Sequence, residues 1–225
     1  MRENIEKLKL ISTSSVSDAL DYFNIDGAIQ GIKPLSPQMC LIGFAFTVEY
    51  ELEDAQHFSA TANYPEQLSE YDVVVIDNAG RDFCTVWGEM LTLAAIKAKA
   101  NGVVIHGCCR DANEILGLNF PVFSRSTHMQ TSKKRVRLKA IQKPIKIESK
   151  VVNPGDVVCA DMDGVIIIPK NHINEVTELA LAIDQNDKNI VSAMKNGLSL
   201  SDAKKQFQYD IFAQNFMNKQ ASERR

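Results

Sequence analysis

No segment of this 225-residue chain approaches the roughly 18–20 consecutive apolar residues that a membrane-spanning helix needs. Its longest strongly apolar runs, residues 73–76 and 165–168, have the length of strands. No apolar stretch opens the chain either: residues 1–9 are charged and polar, so no signal peptide is expected. A basic excess is missing too, with 25 Lys and Arg against 28 Asp and Glu. That balance argues against a general nucleic-acid binder and leaves room for local positive charge around a small anion. Cysteine is sparse and unpaired in pattern: five residues, none spaced as C-x-x-C. Cys108 and Cys109 are adjacent, so a bridge between them would be strained, and free thiols in a reducing cytoplasm are expected. There is no internal repeat and no low-complexity linker. No Gly-rich loop follows the first strand, which argues against a cofactor held in such a loop.

What is present is apolar residue in quantity and in pattern. At 45% hydrophobic the chain can build one large core. We expect a domain over residues 1–200 and a helical tail over 201–225. Residues 5–23 read as helical with a Ser/Thr interruption at 12–15, whose hydroxyls suit the cap of a second helix through Val16, Ala19 and Leu20. Residues 41–49 read as a strand in which Gly43 permits close backbone approach. Strand and helix then alternate: strand 73–77, a turn at Asn78-Ala79-Gly80, a helix marked by Trp87, Leu91, Ala94, Ala95 and Ala98, and Gly102 as its left-handed end. Strand 103–106, loop 107–111, a short helix and strand 121–124 follow. This βαβ order predicts parallel strands. Strands at 145–147, 157–160 and 165–168, a hairpin turn at Asp161-Met162-Asp163-Gly164, one or two helices over 172–195 and a final amphipathic helix beginning with 201–207 complete the expectation, with residues 220–225 frayed.

The chemistry concentrates between Gly88 and Asp111. A βαβ unit brings the start of its helix and the end of its second strand to one sheet edge. Free N–H groups at the helix start suit a carboxylate, and Gly88 has no side chain to block it. Arg110 suits carboxylate and keto oxygens, and Asp111 is a hard oxygen ligand for a divalent metal. Taken singly, Arg110-Asp111 reads first as a solvated surface pair and Gly88-Glu89 as an ordinary helix start; only their joint placement in the βαβ unit brings the functional reading level with these. Cys108 and Cys109 read as structural cysteines and His106 as a histidine satisfied by backbone groups. His128 and His172 read as surface or cap residues, Lys97 and Lys99 as a solvated face, and Asp161 with Asp163 as a turn.

Trp87-Gly88-Glu89-Met90-Leu91 followed by Gly107-Cys108-Cys109-Arg110-Asp111 resembles the signature of RraA-like proteins and the metal-dependent pyruvate aldolases related to them. Residues 12–20, 43–48, 121–125, 154–158 and 161–165 resemble further family segments in the same order, so the likeness runs from about residue 8 to 200. It implies an α/β fold, the RraA-like swivelling β/β/α domain built as an α/β/β/α sandwich with C-terminal helices. Trimers or hexamers with sites between subunits are implied as well. The implied activity is divalent-metal-dependent cleavage of a 4-hydroxy-2-oxo acid such as 4-hydroxy-4-methyl-2-oxoglutarate, with oxaloacetate decarboxylation through the same enolate. Asp111 would hold the cation, magnesium first and manganese or cobalt as alternatives. Arg110 would bind the pyruvate moiety, and Glu89 would act as the nearby acid. Gly88 and the N–H groups of Met90 and Leu91 would hold the substrate carboxylate. Asp187 or Asp184 would supply an acid from a neighbouring subunit. The family's founding members are named for binding and inhibiting a ribonuclease, so a non-catalytic regulator of a ribonuclease or another protein is the alternative. Those inhibitors lack the aspartate after the arginine, and Asp111 is present here. His106, Cys108-Cys109 and Ser126 depart from the family pattern, in what the resemblance makes the pocket wall.

Overall fold

Strand alternation organises the larger of two compact units. The structure is a computed structural model and describes residues 1–53 and 64–223. One unit comprises residues 27–170; the other combines the N-terminal residues through Asp26 with the C-terminal residues from Asn171.

The chain begins with α1 (Arg2–Leu8) and α2 (Thr13–Tyr22). Ser12 caps α2, its hydroxyl accepting the Ser15 N–H at 3.4 Å, as the Ser/Thr run predicts. The larger unit follows with β1 (Ala28–Ile29), β2 (Lys33–Pro34), β3 (Leu41–Leu52), β4 (Asp72–Asp77), β5 (Thr85–Trp87), α3 (Glu89–Lys97), β6 (Gly102–Cys109), α4 (Ala112–Gly117) and β7 (Val122–Thr127). It ends with β8 (Val136–Ile141), β9 (Ile145–Ile147), β10 (Lys150–Val152), β11 (Val157–Asp161) and β12 (Gly164–Ile168). A long α5 (Ile173–Lys195), then α6 (Leu200–Gln206) and α7 (Phe212–Glu223), return the chain to the helical unit. There α5 packs against α1, α2, α6 and α7.

Among the described residues, ten strands form one sheet in the order β1-β12-β11-β3-β4-β6-β7-β2, with β5 beside β6 and β8 beside β3. The β3-β4-β6-β7 centre is parallel and its flanks antiparallel. Successive side chains point to opposite faces. Phe46, Val48, Val74, Ile76, Val103 and Ile105 therefore pack with Trp87, Ala95 and Ile115 on one face. Ala45, Val73, Val75 and Val104 pack with Ile145, Ile147 and Val152 of the β9–β10 hairpin on the other. Burial of both faces is why β4 reads as an unbroken apolar run. A Cβ at Gly43 would lie 2.2 Å from the Tyr71 carbonyl oxygen, the close approach the glycine predicts.

Several expectations need correction. Trp87 ends strand β5 and does not belong to the helix, which starts at Glu89. Lys99 (φ 60°) takes the left-handed helical conformation that follows α3, while Gly102, also at positive φ (153°), begins β6. Residues 107–109 continue β6 where a loop was expected, because Cys108 and Cys109 are fully buried and paired with β5 and β7. Strands β8 and β10 were not anticipated; the single final helix expected from residue 201 is divided into α6 and α7, and α7 runs through Glu223 where fraying was expected. Residues 224–225 lie outside the described residues.

Candidate active site

The end of β6 is tied to the start of α3. The Arg110 N–H donates to the Trp87 carbonyl at 3.0 Å, bringing the residues after β6 against the β5–α3 junction. Asp111 then turns left-handed (φ 57°, ψ 40°), a conformation aspartate tolerates better than most residues. By position it is the N-cap of α4, yet its side chain makes no bond to that helix. Oδ2 instead accepts the Glu89 N–H at 3.1 Å and lies 3.4 Å from the Arg110 Nε. Asp111 therefore caps α3, with its charge at the positive end of that helix.

Gly88 makes this possible by absence. Its backbone is extended (φ −166°, ψ −169°), which any residue adopts, but a Cβ there would meet Asp111 Oδ2 at 2.6 Å and Arg110 Cγ at 3.2 Å. The junction is braced from behind. Thr92 Oγ1 donates to the Gly88 carbonyl at 3.1 Å and accepts the Trp87 indole N–H at 2.8 Å, and Trp87 stacks on Phe120. The first intrahelical bond of α3 is Thr92 N–H to Gly88 carbonyl. The N–H groups of Met90 and Leu91 thus meet no acceptor among the described residues.

The side chains of Arg110 and Asp111 are 34% and 35% exposed, open enough to meet a ligand and screened enough to hold one geometry. They line a hollow of about 340 Å³ with Ala112, Thr127, His128 and Met129. The last three were not anticipated as site residues. They arrive because Thr127 is the parallel register partner of Cys109 and the His128 N–H donates to the Cys109 carbonyl at 2.9 Å. Only the full length of β6 would have revealed them.

Gly88, Glu89, Arg110 and Asp111 are thus brought together. Met90 and Leu91 enter through their backbone alone, with the Met90 side chain 73% exposed. Asp184 and Asp187 belong to the helical unit, on α5, beside a hollow of about 410 Å³ that Ser12, Ser14 and Ser15 also line. Asp184 pairs with Lys188. Burial, then the charges of Asp18 and Asp184, hold the Asp187 carboxyl above the usual carboxylate range. Of the expected pocket-wall departures, Cys108 and Cys109 are buried in the sheet, where burial raises the Cys109 thiol, and Ser126 is exposed with its hydroxyl 3.0 Å from Cys108 Sγ. The imidazole Nδ1 of His106 pairs with Asp77 Oδ1 at 2.8 Å, so a carboxylate satisfies it and not the backbone. His128 is half-buried, where a surface or cap position was expected. All five cysteines are free.

The RraA-like family model, described as Aldolase/RraA, matches residues 13–167, a span holding both halves of this junction. The chain belongs to the RraA-like family. Among RraA-like relatives it is 36% identical over 208 residues to Protein DlpA of Legionella pneumophila, which covers 92% of this chain but only 34% of that protein. The chain thus spans about a third of that relative's length. It is 32% identical over 184 residues to a Halalkalibacterium halodurans protein named "Putative 4-hydroxy-4-methyl-2-oxoglutarate aldolase", covering 82% of this chain and 85% of that one. A crystal structure of an uncharacterised Pseudomonas syringae pv. tomato protein superposes with a TM-score of 0.85 at 35% identity, over 91% of this chain and 98% of the other. The mixed α/β sheet with flanking helices is thereby that of the family.

Proposed function

We propose that this protein is a divalent-metal-dependent lyase that cleaves 4-hydroxy-2-oxo acids to pyruvate, and that the Arg110–Asp111 corner is its active site. One observation carries the reading: an aspartate and an arginine share the open N-terminus of α3, and Gly88 leaves the room for them. The aldolase name of the Halalkalibacterium relative supports the reaction class.

The donor set fits a hard cation. Among the described residues no group of three His, Cys, Asp or Glu side chains gathers, which leaves carboxylate-plus-water binding as the mode. Asp111 commits Oδ2 to the Glu89 N–H, and Oδ1 takes no hydrogen bond from a described residue. One carboxylate completed by water and substrate oxygens is how magnesium is commonly held, and manganese or cobalt would suit the same donors. The cation, when bound, supplies Lewis-acid polarisation of the substrate's carboxylate and 2-oxo oxygens.

The chain's own groups do the rest. The unpartnered N–H groups of Met90 and Leu91 receive the substrate carboxylate at the helix N-terminus. The Arg110 guanidinium donates to the 2-oxo oxygen. Its interaction strengthens as the C3–C4 bond breaks and its electron pair delocalises into the pyruvate enolate, so Arg110 acts chiefly on the transition state. Glu89, at the same helix start, assists removal of the C4 hydroxyl proton, and Asp187 of a neighbouring subunit is the second acid this reading uses. Protonation at C3 yields pyruvate. Loss of carbon dioxide from oxaloacetate leaves the same enolate, so Arg110 serves both reactions.

The test is pyruvate formation from oxaloacetate and from 4-hydroxy-4-methyl-2-oxoglutarate, with magnesium and with a chelator. Turnover is expected with magnesium alone. Asp111→Asn, which keeps an acceptor for Glu89 but loses the charge, should abolish turnover in a folded protein. Arg110→Ala should lower kcat strongly. A protein that only regulates a ribonuclease would turn over neither substrate.

A further inference from the structure

The 340 Å³ hollow has a polar side chain that the proposed reaction leaves idle. His128 lines it beside Arg110 and Asp111, held there by its N–H bond to the Cys109 carbonyl. Its imidazole Nε2 is shut off from solvent and has no hydrogen-bond partner among the described residues. A buried polar atom left unpaired is costly, and natural proteins seldom keep one without a use. Packing does not account for the side chain: Ser126, Thr127 and Met129 around it are all exposed, and His128 belongs to neither apolar core cluster. The same hollow holds the groups read as gripping the 2-oxo end of a substrate, so His128 stands beside the remainder of that molecule, and a turn of its ring would bring the unpaired nitrogen to it.

We propose that His128 recognises the C4 hydroxyl of the substrate through Nε2 and thereby makes the site selective for 4-hydroxy-2-oxo acids over 2-oxo acids lacking that hydroxyl. The proposal rests on the reading of the Arg110–Asp111 corner as a 2-oxo acid site. An imidazole nitrogen donates in one tautomer and accepts in the other, and a hydroxyl answers either. A site built to hydrogen-bond a hydroxyl discriminates strongly against the analogue without it, because the protein's own polar group is then stranded.

Two unreactive ligands isolate the contact: 2,4-dihydroxybutanoate and 2-hydroxybutanoate differ only in the C4 hydroxyl, and neither has a 2-oxo group to cleave. Calorimetric titration with magnesium present should give about tenfold tighter binding of the dihydroxy acid to the wild type, the worth of one hydrogen bond of this kind. His128→Gln carries an amide out to the position of Nε2 and should keep most of that ratio. His128→Asn carries it only to the position of Nδ1 and should bring the ratio close to one; thermal melts establish that both variants are folded. A purely structural histidine would not sort the two amides this way. If the wild type binds both acids equally, or folded His128→Asn keeps the tenfold preference, the His128 proposal falls while the 2-oxo acid reading stands. If neither acid binds the wild type and oxaloacetate is not decarboxylated, the underlying reading falls and takes this proposal with it.

Discussion

Replacing Gly88 by alanine presses on Asp111 and Arg110 and leaves the backbone untroubled. The extended conformation at residue 88 (φ −166°, ψ −169°) is open to alanine, so no dihedral strain is added. The new methyl group would stand 2.6 Å from Asp111 Oδ2, against 3.4 Å or more for ordinary contact. The carboxylate must therefore retreat by roughly 0.8 Å, the order of misplacement that costs about 100-fold in rate. The Glu89 N–H bond, already 3.1 Å long, opens with it, and Arg110 is pushed from 3.2 Å at Cγ. Overpacking of this kind costs about 1–3 kcal/mol, and each kcal/mol lowers Tm by about 2–4 °C in a chain of this size. Magnesium-dependent oxaloacetate decarboxylation and a thermal melt, run on the same preparation, separate the two effects. We expect kcat/KM about 100-fold down in a protein that still melts cooperatively. Gly117→Ala is the control, since a Cβ there meets nothing within 4 Å. A folded Gly88→Ala protein with wild-type activity would refute the reasoning, because the carboxylate could not then be held where catalysis needs it.

The remaining expectations concern the rest of the molecule. Gly43→Ala should destabilise the sheet by more than about 2 kcal/mol, because the Cβ would press on the Tyr71 carbonyl at 2.2 Å and on Val73 at 2.9 Å; denaturant unfolding measures it. Native protein should show one fast thiol towards an aromatic disulfide reagent, the exposed Cys40, with Cys84, Cys108, Cys109 and Cys159 slow until denaturation. Burial favours the protonated thiol, raising Cys84 and Cys109 and pushing Cys159 to about 12. Asp187→Asn should raise stability at neutral pH. The folded carboxyl is held above its unfolded value, so its penalty is full above the folded pKa and vanishes below the unfolded one. Solvent screening keeps the gain under about 1 kcal/mol, and it should disappear when melts are repeated below about pH 4. An equal gain at acid pH would mean that charge is not the cause.

Much of this molecule is legible from residues alone, for identifiable reasons. β4 announces itself because both faces of a central parallel strand are buried, and Gly43 because only a glycine lets the Tyr71 carbonyl come so close. The Ser12 cap and the Asp161–Gly164 turn follow from local hydrogen bonding, the latter fixed by the Asp163 N–H to Asp161 Oδ1 bond at 2.9 Å. Less was visible where tertiary pairing overrides local signals. Gly107-Cys108-Cys109 has the composition of a loop, yet pairing with β5 and β7 draws it into β6. Residues 136–140 alternate apolar and basic side chains, but what makes 136–141 a strand is the long second half of β3. At the site, the joining of Gly88-Glu89 to Arg110-Asp111 could be read from βαβ geometry. The direction of the Asp111 carboxylate could not, because capping rules assign an aspartate to the helix that follows it and here it serves the helix before. His128 was hidden for a related reason: only the Cys109–Thr127 register carries it to the pocket.

The most direct test of the account is an anomalous difference map from crystals grown with manganese and pyruvate. The account places one peak on the Asp111 carboxylate, with pyruvate between Arg110 and the N-terminus of α3. A peak bound elsewhere, with Asp111 still engaged only with Glu89 and Arg110, would contradict it.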